Sequence, residues 1–295
     1  MFKPRAVGFS KFPHARPALT LRCPQPMIIP RMSAEALPYT LLILMAEFTI
    51  GGLWVLWLAH LRGSAAASFI KFGAGLVFVS AALTFWVAAK ISIPDEVDGY
   101  PLDPDLMPAA RVALAAVFGL SLAYALLTLR QRRAPSLLAG ALASAGGLAA
   151  LAFLAQVVSL PTWGYAGTLL SLIVGGLVVG AVSMGMILGH WYLVTPRLPE
   201  RPLREMIFFL LIPALALPRD TIANAVDTPI LQSPYFWMRI GGGLAFPMLL
   251  TYMAYDSSGL RAMQSATGLL YIAMALVLAG EVLAKGLLFV TAVPQ

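Results

Sequence analysis

Runs of about 20 apolar residues recur from Leu37 to the C-terminus, separated by short polar breaks. A bilayer core about 30 Å thick takes about 20 helical residues to cross. Inside it every backbone N–H and C=O must find an internal partner, which leaves only helices and closed barrels. A barrel needs shorter, alternating segments. The chain is therefore expected to be all-α, a polytopic integral membrane protein. Eight transmembrane helices are expected, at roughly 38–60, 67–90, 108–129, 135–158, 166–194, 205–224, 235–255 and 263–290, a number that two four-helix bundles would accommodate. The sixth is the most interrupted, by Pro213 and Pro218. With 60% hydrophobic and only 11% charged residues, an ordinary soluble enzyme is excluded. The single cysteine, Cys23, leaves no internal disulfide framework and no cysteine-ligated cluster.

Charge in the breaks sets an expected orientation. The break ISIPDEVDGYPLDPDL holds Asp95, Glu96, Asp98, Asp103 and Asp105. Breaks on the opposite side carry Arg62 and Lys71, then Arg130, Arg132 and Arg133, then Arg197, Arg201 and Arg204, then Arg261. Positive charge stays inside, so these face the cytoplasm of a bacterial inner membrane and the acidic loop faces out. With eight spans both termini then lie outside.

Residues 1–36 form a basic, proline-rich tail ahead of the membrane domain at 37–295. The tail opposes that orientation, since Lys3, Arg5, Lys11, Arg16, Arg22 and Arg31 should resist export. It holds no apolar stretch long enough for a signal peptide. A start at Met32 would remove the conflict. Much of the net charge of +7 resides in this tail, so the basic balance is no argument for nucleic-acid binding.

The breaks are too short for a catalytic domain, so chemistry must come from polar residues inside the spans. Glu47 lies in LPYTLLILMAEFTIGGLWVLWLAHL, about 15 Å along the helix from the outer boundary. Gly51 and Trp54 share its face, the first leaving room beside the carboxylate and the second offering a flat surface. An ionisable group at such depth pairs or serves a function. In the last span Glu281 and Lys285 are four apart on one face, the favourable order for an ion pair. Arg111, Arg219, Asp220 and Arg239 fall at a similar outer level. A polar pocket there would suit a quinone headgroup, menaquinone or ubiquinone, exchanging protons through Glu47 and Glu281. The third and fourth spans, rich in Ala and Gly, are expected to be scaffold.

His190 closes the fifth span in GHWYLVTP, beside Trp191 and Tyr192 of an interfacial aromatic belt. Three readings stand for it: a structural cap near a helix C-terminus, a proton or quinone role, or haem ligation. A single b haem would need His60 and His190 together, with Met184 and Met186 as alternative ligands; stacked haems would need more histidines than the chain has. No haem or metal is expected. No sequence repeat relates the two halves convincingly.

Two segments carry a family resemblance. LPYTLLILMAEFTIGGLWVL, a proline-led helix with a mid-helix polar residue before Gly-Gly, and GEVLAKGLLF near the chain's end resemble the NrfD, polysulfide reductase and dimethyl sulfoxide reductase group of haem-free membrane anchors. Lys285 stands where that group is expected to carry arginine, and GHWYLVTP is not one of its signatures. The resemblance implies a quinone-interacting subunit of a respiratory or other electron-transfer complex. Its implied partners are membrane lipids, an iron–sulfur or cytochrome subunit on the outer side, and a larger catalytic redox subunit. A proton or small-solute transporter and a purely structural or single-haem subunit are the competing classes.

Overall fold

The computed structural model describes residues 35–63, 65–97, 100–159, 164–194, 201–207 and 234–291, all within the unit Arg31–Gln295. Apart from one short hairpin the regular structure of the described residues is helical. Helix α1 spans Leu37–Arg62, α2 Ala67–Lys90, α3 Met107–Leu129, α4 Arg133–Val157 and α5 Gly164–Val194. A helical run then continues through α6 (Pro234–Trp237), a π-helical segment (Met238–Ala245) and α7 (Phe246–Gly259), followed by α8 (Met263–Thr291). Six of these helices, α1 to α5 and α8, are long and apolar enough to cross a membrane. This is a multi-pass membrane protein. The expected seventh span corresponds to the run broken by the π segment, and most of the expected sixth lies outside the described residues, as does the basic tail.

Local sequence explains the helix ends. Pro38 and Pro108 open α1 and α3, where a missing N–H costs nothing. Helix α1 stops at Gly63, whose φ of 65° lets its N–H reach back to the carbonyls of Ala59 and His60. Two links between antiparallel helices share one design. At 130–132 and again at 260–262, a non-glycine residue with positive φ (Gln131 at 57°, Arg261 at 58°) turns the chain. Successive N–H groups there bond the same relative carbonyls in both links.

Helices α1 to α4 pack in a closed ring, each against the next and α4 back onto α1. Helix α5 crosses α1 and also touches α4, while α8 packs on α5, on the π segment and on α7. The α1–α5 crossing is glycine on glycine. A Cβ placed on Gly51 would collide with the Gly176 carbonyl, and one on Gly180 with the Gly51 backbone. Gly176 and Gly180 are one turn apart, the small-xxx-small spacing that lets helix backbones meet. A second backbone contact joins the π segment to α8, where a Cβ on Gly243 would stand 2.6 Å from the Gly280 Cα.

The acidic loop is more ordered than a solvated connection. Glu96–Val97 and Tyr100–Pro101 pair antiparallel, with Val97 opposite Tyr100. Val97, Tyr100 and Leu102 are buried. The Tyr100 hydroxyl donates to the Val158 carbonyl at 2.9 Å, and its ring meets Phe289 edge-on. Burial pushes the Tyr100 phenol above its ordinary range, so it stays a donor. Asp95, Glu96, Asp103 and Asp105 remain exposed above this seal.

Candidate functional site

Four charged side chains from three segments converge inside the helices. Glu47 reaches from α1, Lys285 and Glu281 from α8, and Arg239 from the π segment. Lys285 Nζ stands 2.7 Å from Glu47 Oε1 and 3.4 Å from Glu281 Oε2, and Arg239 Nη2 donates to Glu281 Oε1 at 2.8 Å. The order is cation, anion, cation, anion, so formal charges cancel along the chain. All four are buried, with 0% of Glu47 and 8% of Arg239 exposed. In a low-dielectric interior this alternation is what makes the cluster tolerable, because each ion alone would cost several kcal/mol to desolvate.

The glycine contacts place these groups. The meeting of Gly243 with Gly280 brings the π segment against α8 one residue before Glu281, which carries Arg239 to that carboxylate. The close crossing of α1 and α5 lets Glu47 pass beneath α5 toward Lys285. At that point α5 presents Gly175: a Cβ there would lie 2.7 Å from Glu47 Oε1 and 3.3 Å from Glu281 Oε2. Gly175 thus forms the wall of the site. The expectation that Gly51 makes room for the Glu47 carboxylate is corrected here, since Gly51 serves the α1–α5 backbone contact one turn away.

The network is not fully satisfied. Glu47 Oε2 and Arg239 Nε have no hydrogen-bond partner among the described residues, and the Glu47 Oε1 contact with Lys285 lies off the hydrogen-bond direction. A buried acceptor and a buried donor are therefore left over on one charge chain. Such groups ordinarily cost about 1–3 kcal/mol each unless something bonds them. Chemically the arrangement can accept a proton on a carboxylate, donate an N–H to a carbonyl oxygen, and redistribute charge between neighbouring ions. A π-helical stretch, often found at functional sites, supplies one of its cations.

The other residues singled out in the sequence lie elsewhere. Trp54 donates its Nε1–H to the Ser144 carbonyl at 3.1 Å, locking α1 to α4. His190 is exposed and its Nδ1 is 3.2 Å from the Tyr271 hydroxyl, with the rings edge to face. His60 Nδ1 meets a different tyrosine, Tyr124, at 3.1 Å. Arg111 caps the end of α2, donating to the carbonyls of Ala88 and Ile91 at 2.8 and 2.6 Å. Arg219 and Asp220 lie outside the described residues. Glu281 and Lys285 do pair at their four-residue spacing, yet the shorter contact of Lys285 is to Glu47.

Sequence reasoning overlooked Gly175, whose only signal was a Gly-Gly pair inside an apolar run. Among the described residues no three His, Cys, Asp or Glu side chains gather as a metal-binding group. The chain matches no family model, no curated protein and no solved structure.

Proposed function

We propose that the chain is an eight-span subunit of a bacterial inner-membrane electron-transfer complex, with both termini outside, and that it handles a quinone at the Glu47–Lys285–Glu281–Arg239 network. The observation that carries this reading is the leftover acceptor and donor on one buried, charge-balanced chain. A quinone carbonyl accepts hydrogen bonds and a quinol hydroxyl donates them, so the two oxidation states suit an unpartnered Nε–H and an unpartnered carboxylate oxygen respectively. Arg239, the most exposed of the four, is the group a headgroup arriving from the lipid meets first.

Oxidation of a quinol releases two electrons and two protons. The carboxylates receive protons one at a time and pass them on, because the neighbouring cations stabilise whichever acid is ionised. The electrons leave to an outer-side iron–sulfur or cytochrome partner and thence to a larger catalytic subunit, or travel the reverse way in quinone reduction. This assignment of partners, and of menaquinone or ubiquinone as the ligand, follows the resemblance of spans 1 and 8 to the haem-free anchors.

The test is quinol-dependent electron transfer by the complex purified with its native partners, whose identity mass spectrometry supplies. Glu47→Gln and Glu281→Gln keep size and hydrogen bonding but remove the exchangeable charge. Each is expected to lower turnover by about 10²-fold or more, the range for loss of a positioned acid or base. Full turnover in both variants would leave the network a structural one.

A second reading is favoured by one feature. The π segment interrupts a helical run at the site itself, as helices of transporters are interrupted where they line a path. Proton uptake into vesicles containing only this chain, without a redox partner, would decide for transport.

A further inference from the structure

At the opposite, basic end of the α1–α4 ring the helices form an open cavity of about 300 Å³. The polar part of its wall is His60, Lys71, Thr128, Gln131, Arg133 and Ser136, over a floor containing Ile70. None of its described lining residues is acidic. Its position brings two helix N-termini to the same space, those of α2 at Ala67 and of α4 at Arg133. The N-cap residues, Ala66 and Arg132, cap neither end with a side chain. Each end also contributes the positive pole of its helix.

The cations of this cavity differ from Arg62, Arg201 and Arg204 at the same end, and from Arg130 and Arg132 in lining the cavity. Arg62 and Arg201 both engage Glu205, at 3.6 and 2.8 Å, and Arg204 bonds the Tyr255 hydroxyl and covers its ring. Lys71 and Arg133 have no ion-pair partner among the described residues. The Arg133 guanidinium rests beside Gly63, the left-handed residue ending α1, where even a Cβ would stand 2.8 Å from its Nη2. The hydroxyls of Thr128 and Ser136 are tied to backbone carbonyls, and His60 Nδ1 to Tyr124. What remains is positive: a lysine point charge, a forked guanidinium, and the positive ends of two helices.

We propose that this cavity binds a phosphate group. A tetrahedral anion accepts the guanidinium through two oxygens, leaves others for the lysine and backbone N–H groups, and meets no opposing carboxylate. The space is ample for a phosphate with a glycerol attached. The ligand is either the headgroup of an anionic phospholipid or a free phosphate ester.

The purified chain in detergent provides the test, with native mass spectrometry against phosphatidylglycerol and phosphatidylcholine, and thermal unfolding in inorganic phosphate against chloride at equal ionic strength. The wild type is expected to retain phosphatidylglycerol, or to be stabilised by phosphate, and the double variant K71Q/R133Q to lose that preference by on the order of ten-fold or more. Loss of lipid retention alone identifies a headgroup site, and loss of phosphate stabilisation alone identifies a free-anion site. R130Q/R132Q removes the same charge from the neighbouring link outside the cavity and should change neither. Ala67→Glu offers a second variant, because a carboxylate suits the α2 N-terminus and should keep the fold while occupying the site. Wild-type behaviour in both K71Q/R133Q and Ala67→Glu would overturn the proposal, as would an equal loss in R130Q/R132Q.

Discussion

The hairpins α3–α4 and α7–α8 turn through the same link, with a left-handed non-glycine residue and the same backbone hydrogen bonds, 130 residues apart. Their interiors differ completely. In the first, Ser121 and Ser144 bond carbonyls one turn back, those of Phe118 and Gly140, and the contacts to other helices are not ion pairs among the described residues: Arg111 bonds the end of α2 and Tyr124 meets His60 of α1. In the second, with the π segment leading into it, Arg239, Glu281 and Lys285 reach outward to one another and to Glu47 of α1. A helical hairpin in a membrane is thus indifferent to whether it carries charge. What matters is whether a neighbouring helix arrives close enough, at the right register, with the opposite ion. The α3–α4 hairpin completes the ring, whereas the α7–α8 hairpin carries two of the four buried charges.

The harshest way to break this contrast is Lys285→Met. It leaves Glu47 and Glu281 buried with only Arg239 between them and solvent, and loss of one partner from a buried ion cluster costs about 3–5 kcal/mol. Folded yield and the thermal midpoint in detergent should both fall sharply. Adding Glu47→Gln to it restores neutrality and should recover much of the loss. If Lys285→Met alone is as stable as wild type, the ion network does not hold the fold together.

How far the sequence led follows from the kind of signal each residue emits. A carboxylate inside LILMAEFTIGG is visible without any fold, because burying it unpaired is costly wherever the helix goes. The i,i+4 spacing of Glu281 and Lys285 is equally local. That Lys285 meets Glu47 more closely than Glu281 was not legible, since it depends on glycine contacts between segments far apart in the chain. Gly51 and Trp54 share the Glu47 face on a helical wheel, yet the wheel does not say which neighbour each meets. One finds the α5 backbone and the other the Ser144 carbonyl of α4. Arg111 carried the right charge at the right depth, and only the structure reveals that the α2 carbonyls use it. The hairpin repeat escaped notice because a hydrogen-bond pattern recurs there without a recurring sequence.

A milder intervention acts on the crossing that delivers Glu47. Gly51→Ala forces the α1 and α5 backbones apart, since the added methyl would overlap the Gly176 carbonyl. Overpacking of this kind costs about 1–3 kcal/mol. Because Glu47 lies one turn away, quinol turnover should drop along with the thermal midpoint. A fall in stability with turnover intact would separate the crossing from the site.

The smallest effect is expected on the scaffold side, and its sign is reversed. At Gly119 of α3 an added Cβ meets nothing within 4 Å, so Gly119→Ala removes backbone freedom from the unfolded chain without a clash. Alanine in place of a mid-helix glycine is worth roughly 0.5–1 kcal/mol, which should raise the thermal midpoint slightly and leave turnover unchanged. The same substitution is therefore expected to stabilise one part of the molecule and destabilise another. Glycine in α3 only lowers helix propensity there, whereas Gly51 sets the distance between two helices and so the reach of Glu47 to Lys285. Should Gly119→Ala impair turnover as much as Gly51→Ala does, α3 would have to be moving during the reaction, and the division between scaffold and chemistry would fail.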